Sequence, residues 1–270
     1  VSRAVVALRD PNPLVDGRGL RKLSDGDVDV RLDEARFGAR AREQNAPFVK
    51  YHRTRLPLVT YKAAVTLDGK VAASSGDARW ISCLDSRRAV HELRSRVDAV
   101  MVGAGTVRRD DPELTVRLAD GRDPVRVVVT RDGVLPWGAK LLATADRTPT
   151  IVIAEEATES VRMRLESRGA ELLEVGAGGL RAALHALAAR GLLDVLCEGG
   201  PTLAGSLLSA GLIDRVLLFV APLIVGRGAP DLFAAPAVAA VDGAWRLEDV
   251  RWDRVCDDLM LSGTVVRSGS

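Results

Sequence analysis

From Leu56 onward the chain alternates short apolar runs with segments of helical periodicity, and this alternation limits the possible folds more than any other feature. The runs PLVTYKAAVT, DAVMVG, VRVVVT, TIVIA, AELLEV and LDVLCEG are apolar and β-rich, so each reads as a strand. Between them SRRAVHELRSRV sets Val90, Leu93 and Val97 three and four residues apart on one helical face, and RAALHALAAR keeps the same period. Strands that alternate with helices predict an α/β fold, a mostly parallel sheet covered by helices. Toward the end, DRVLLFVAPLIV and the pair WRLEDVRWD and DDLMLSGTVV, joined around Arg254 to Cys256, read as strands closing the sheet with at least one antiparallel partner. The run LLFVAPLIV suits either a central strand or a buried contact between two copies.

The first part of the chain is different. Residues 4–8, AVVAL, read as a short buried strand, and the prolines of DPNP hold Asp10 and Asn12 extended or in a turn. From there to about residue 50 the sequence is polar, with too few large apolar residues for a core of its own. The 270 residues, 47% hydrophobic, suffice for one large domain or two smaller ones. A formal charge of +2 offers no general attraction for a nucleic-acid backbone or an anionic membrane. Only five of the 38 basic residues are lysine, and arginine is the better residue for fixed recognition of phosphate and carboxylate. Cys83, Cys197 and Cys256 lie far apart, and His52, His91 and His185 lack paired ligand spacing, so neither a zinc site nor a disulfide framework is expected. The start, VSRAVVALRDPNP, lacks the signal-peptide pattern and no apolar run reaches membrane-spanning length; a soluble cytoplasmic protein is the expectation.

Two strand-to-helix junctions carry glycine. VMVGAGTVRRDDP passes through Gly103 and Gly105 into a short helix expected to begin near Thr106, but Arg108 stands where a dinucleotide fingerprint has its third glycine. The loop is therefore either a phosphate cradle or a tight turn, and Asp110-Asp111-Pro112 ends its helix. In VLCEGGPTLAGSLLSAG, Gly199 and Gly200 permit close backbone approach, Pro201 suits a first helical turn and Thr202 supplies a hydroxyl, beside Glu198. Two such junctions on one sheet favour a nucleotide cofactor. Lys62, inside an apolar strand, either snorkels at an edge or faces a polar cleft. Trp80 either covers a nicotinamide or packs in the core, the latter being the commoner fate of a lone Trp. Arg94 and Arg117 can each engage an anion through two donors.

The ordered set KAAVTLDGKVA, SGDARWIS, VDAVMVGAGTVRRDDPELTVR, CEGGPTLAGSLL and APLIVG resembles the reductase domain of bifunctional riboflavin-biosynthesis deaminase/reductases, over about residues 57 to 265. The resemblance implies a dihydrofolate-reductase-like fold at 57–266, NADPH as cofactor, and reduction of 5-amino-6-(5-phosphoribosylamino)uracil to its ribitylamino product by a homodimer. It places NADPH contacts at Ala64, Trp80, Thr106, Asp110 and the loop Gly200, Pro201, Thr202, Leu203, Ala204, Gly205 and Ser206. Substrate contacts fall on Lys62, Arg94, Leu114, Arg117 and Glu198, with Lys62 and Glu198 as the candidates for orientation and proton supply and the two arginines for the ribose 5-phosphate. There are two departures. Ala78 stands where relatives often carry a substrate-binding Ser, and Arg131 stands where a small hydroxyl residue is common and can offer a guanidinium to the 2′-phosphate of NADPH. Residues 1–50, above all RAVVALRDPNPLVDGRGL, resemble the end of the family's zinc deaminase domain, but neither H-x-E nor P-C-x-x-C occurs, so no deamination is expected. Two other readings remain: a reductase of the undeaminated diaminopyrimidine or a specialised-pathway analogue, and a non-catalytic NADPH-binding module.

Overall fold

The computed structural model describes residues 1–15 and 17–267. In chain order the elements are β1 (Arg3–Val6), α1 (Arg18–Asp25), β2 (Asp29–Leu32), α2 (Glu34–Gln44), α3 (Ala46–Thr54), β3 (Leu58–Thr66), α4 (Leu84–Arg94), β4 (Ala99–Gly103) and α5 (Ala104–Asp110). There follow β5 (Val125–Val129), α6 (Lys140–Ala143), β6 (Thr150–Ala154), α7 (Glu159–Glu166), β7 (Glu171–Glu174), α8 (Gly179–Ala189), β8 (Asp194–Cys197), α9 (Pro201–Ser209), β9 (Arg215–Ala221), β10 (Trp245–Val255) and β11 (Asp258–Arg267). No helix among the described residues is long and apolar enough to cross a membrane.

A nine-stranded sheet runs in the order β10-β11-β9-β3-β8-β4-β5-β6-β7. The strands from β9 to β7 are parallel, and β11 and β10 add antiparallel pairs at the β9 edge, as the sequence pattern predicts. Each central strand buries both faces, which is why its sequence is apolar without alternation. Val59, Met101, Val127 and Val195 point to one face, where they pack with Leu184 and Leu187 of α8 and Leu207 of α9. Val100, Val102, Val128 and Leu196 point to the other, against Val107 of α5, Leu142 of α6 and Leu165 of α7. The run LLFVAPLIV divides at Pro222: its first part lies inside the sheet as β9, while Leu223, Ile224 and Val225 leave it and are exposed.

The N-terminal part forms a separate two-stranded parallel sheet of β1 and β2, connected by α1. The expected buried strand at residues 4–8 is corrected here: β1 spans Arg3–Val6 and Val5 is 53% exposed, because no layer of side chains covers that face. α3 docks on the larger sheet, where the Lys50 ammonium pairs with Asp214, whose carboxylate also accepts the Val59 N–H.

Two further expectations change. The glycine-rich junction enters α5 at Ala104 rather than near Thr106, with Gly103 as its N-cap. Cys83 and Cys256 are joined by a disulfide, contrary to the expectation from their spacing. A separation of 173 residues carries no information about proximity, and only the fold brings the β10–β11 turn to the start of α4. Asp258, beside that turn, reinforces the junction by accepting from the Cys83 N–H at 2.8 Å and the Ser86 hydroxyl at 2.6 Å.

Candidate active site

The parallel strands β3, β8 and β4 lie side by side, so β3 and the residues that follow β8 and β4 meet at the edge where α/β sheets bind ligands. A cavity of about 270 Å³ opens there, lined by Lys62 and Ala64 of β3, Ala78, Trp80 and Arg87, Thr106, Arg109 and Asp110 of α5, and Glu198 to Pro201. A second cavity of about 270 Å³ lies beside it between the two glycine-rich junctions, lined among others by Gly103, Gly105, Thr202 and Leu203.

At the floor, Glu198 directly follows β8 and Arg94 closes α4. Arg94 Nε donates to Glu198 Oε1 at 2.6 Å and Nη2 to Oε2 at 3.0 Å, a two-pronged pair with both side chains almost buried. Arg94 Nη1 also donates to the Thr115 carbonyl, so this guanidinium fastens the loop after α5 to the cavity floor. Burial pushes the Glu198 carboxyl up, but the Arg94 charge and its hydrogen bonds, then the Lys62 charge, outweigh it and hold the group at about 2. Glu198 is an anion, and a hydrogen-bond acceptor only, at neutral pH. Burial pushes the Lys62 ammonium down, Glu198 pulls it back up and Arg94 adds to the lowering, so Lys62 is a stronger acid than an exposed lysine. Of the two readings of Lys62, the strand position resolves to the cleft.

His91, one turn before Arg94 on α4, completes this cluster. It is 6% exposed, and its Nδ1 accepts the Arg117 backbone N–H at 3.0 Å. Burial, then the charges of Arg94 and Arg117, push its imidazole down to about 4, so it stays neutral and keeps Nδ1 free to accept. Sequence reading missed it, although the spacing of three to Arg94 puts both on one face of a helix.

Trp80 is not in the core: it is 66% exposed at the cavity rim, with the Arg87 guanidinium 3.9 Å above its ring. Thr106 and Asp110 face the cavity with Ala64. The stretch from Gly200 to Ser206 is not a loop but the N-cap and first turns of α9; Gly200 and Pro201 line both cavities, and Thr202 and Leu203 the second. Ala204 and Gly205 are buried, and a Cβ at Gly205 would lie 2.3 Å from the Ala234 carbonyl oxygen, which ties this glycine to packing rather than to a ligand. Ser206 gives its hydroxyl to the Thr202 carbonyl.

Arg117 and Leu114 lie outside the two cavities. Arg117 is exposed and donates to Glu113 Oε2 and Thr115 Oγ1, whereas Leu114 is buried with φ 58°, a left-handed conformation imposed by the tight loop after Asp111. Arg131 is exposed on the loop after β5 and lines neither cavity. The guanidinium presented to both is that of Arg109, which the sequence reading passed over.

Residues 57–261 match the family described as the RibD C-terminal domain. The chain is 38% identical over 269 residues to the riboflavin biosynthesis protein RibD of Mycobacterium tuberculosis, covering 97% of this chain and 70% of that one. It is 36% identical over 272 residues to the chloroplastic riboflavin biosynthesis protein PYRR of Arabidopsis thaliana, covering 97% of this chain and 45% of the relative. The solved structure of Acinetobacter baumannii RibD superposes with a TM-score of 0.86 at 32% identity, over 99% of this chain and 74% of that one. The chain thus spans between about half and three quarters of the length of these relatives. A match over most of the chain, in sequence and in fold, makes it a member of the RibD C-terminal domain family.

Proposed function

We propose that the chain is the NADPH-dependent reductase of riboflavin biosynthesis, converting the ribosyl group of 5-amino-6-(5-phosphoribosylamino)uracil to a ribityl group. The observation that carries this reading is the buried Lys62–Glu198–Arg94 cluster at the floor of a cavity whose rim bears an exposed indole and a glycine-rich helix start. The residues present fit a dinucleotide: α9 has no side-chain cap, leaving its first N–H groups available, and Gly200 has no side chain to block approach to them. Gly200, Pro201 and Thr202 would hold the phosphates and Trp80 the nicotinamide. NADPH supplies a hydride when bound, and C1 of the ring-opened ribosyl imine receives it.

The chain's own residues position the substrate and move one proton. As hydride reaches C1, the imine nitrogen must gain a proton to become the amine. Glu198 holds none at neutral pH, so the Lys62 ammonium is the donor, its acidity increased by burial. Glu198 accepts hydrogen bonds from the substrate, while Arg94 fixes its orientation and charge. Arg117, on the loop that Arg94 and His91 tie down, faces solvent and is the residue we assign to the 5-phosphate.

Residues 1–50 belong to the same reading as the final portion of a deaminase-like domain, and a homodimer as the assembly. The exposed apolar residues Leu67, Leu223 and Ile224 support a second copy, and light scattering on the purified chain measures it. The activity is tested by following NADPH oxidation with the deaminated and the undeaminated phosphoribosylaminopyrimidine supplied separately. Turnover of the deaminated compound is expected. Turnover of only the undeaminated one would replace the substrate, and NADPH binding without turnover of either would leave a non-catalytic module.

A further inference from the structure

Among the residues of the two cavities, Arg109 stands out by what it does not bind. Its side chain is 45% exposed, and among the described residues it makes no hydrogen bond; its one ion pair is a loose contact of Nε to the neighbouring Asp110 at 3.7 Å. The other site arginines are engaged: Arg94 with Glu198 and Thr115, Arg117 with Glu113 and Thr115, and Arg87 stacked on Trp80. Arg109 instead reaches across to the opposite junction. Its Nη2 lies 3.4 Å from where a Cβ of Gly200 would stand, and it lines both cavities. The wall common to the cavities is Thr106, Arg109, Gly200 and Pro201.

A guanidinium set against the uncapped first turn of α9 brings two positive groups together, since a helix start carries partial positive charge. Asp110 touches only the Nε side of the guanidinium, and a phosphate oxygen placed between Nη2 and the start of α9 would be attracted by both. We infer that Arg109 is a cofactor-binding residue whose guanidinium engages a phosphate of the dinucleotide between α5 and α9. The assignment rests on the proposed NADPH reading and deepens it: it moves the phosphate-binding guanidinium from Arg131, which lines neither cavity, to Arg109. The phosphate is either the pyrophosphate, shared by NADPH and NADH, or the 2′-phosphate found only on NADPH.

The test is a fluorescence titration of the full chain, wild type and the variants Arg109→Ala and Arg109→Gln, with NADPH and with NADH. Loss of a charge-assisted contact is expected to raise the NADPH dissociation constant about 10- to 100-fold. If the NADH constant rises by the same factor, the partner is the pyrophosphate; if NADH binding is unchanged, it is the 2′-phosphate. NADPH affinity unchanged in both variants, at an unchanged melting temperature, overturns the assignment. Wild-type protein that binds neither nucleotide overturns the NADPH reading itself, a result separable from the first because it precedes any substitution. Lys at this position, in Arg109→Lys, keeps the charge but not the fork, and is expected to restore part of the affinity.

Discussion

Replacing Glu198 by Gln removes one negative charge and almost no volume, and the structure sets what this costs. The carboxylate is the only anion paired with Arg94 at 2.6 and 3.0 Å among the described residues, and the side chains of the pair are 12% and 11% exposed. Glutamine leaves the Arg94 guanidinium and the Lys62 ammonium buried together without the carboxylate that pairs with them, the more distant Asp123 charge remaining. Breaking a buried pair by removing one partner typically costs about 3 to 5 kcal/mol. An independent route gives a similar figure: holding the carboxyl at about 2 rather than 4.5 corresponds to about 3 kcal/mol. For a chain of this size that is a fall in Tm of about 6 to 12 °C. The sign of the pH dependence follows from the lowered pKa. Glu198 contributes stability in full above pH 4.5 and loses it as pH falls toward 2, so the variant is expected to lose that part of the acid dependence as well. Thermal melts of wild type and variant from pH 7 down to the acid limit measure both effects. A drop below 2 °C with an unchanged acid slope would refute the claim that this charge pair holds the cavity floor. The double variant Glu198→Gln/Arg94→Met should recover part of the loss, because it removes the stranded cation.

Lys62→Met is expected to lower kcat with little change in the NADPH dissociation constant, since Lys62 is assigned to proton transfer; turnover at the wild-type rate would remove that role. His91, held at about 4 against 6.5 when unfolded, leaves the native state unable to take up a proton that the unfolded chain accepts, so stability should decline by up to about 3 kcal/mol as pH falls from 6.5 toward 4. His91→Asn should remove that decline and raise the substrate KM through the loosened Arg117 loop, and an unaltered pH profile would show that His91 does not titrate as assigned. The Cys83–Cys256 cross-link closes 173 residues, for which chain entropy predicts up to about 5 kcal/mol. Cys83→Ser, or melting in reductant, should therefore lower Tm, and identical melts with and without reductant would count against the bond.

Much of the fold is legible in the sequence alone. The strands β4, β6 and β8 are apolar without alternation because helices cover both faces, and that physical requirement is written into single segments such as TIVIA and DAVMVG. The antiparallel closure was legible for the same local reason, two long strands around a tight turn at Cys256. Lys62 and Glu198 could be singled out because a charge in an apolar strand, or directly after one, needs an external reason.

What the sequence could not supply was partnership across distance. Arg94 looked like one free guanidinium among many, and only the fold, which brings the end of α4 to the residue after β8, made it the partner of Glu198. Trp80 carried the general expectation of a core indole, but exposure depends on what packs over its loop, and the fold leaves this indole 66% exposed at the cavity rim. The disulfide, the His91 acceptor and the approach of Arg109 to Gly200 are likewise meetings of segments far apart in the chain. Local chemistry determines which residues can form a strand, a helix start or a charge; tertiary structure determines which charges face each other, because distance and burial belong to no segment alone.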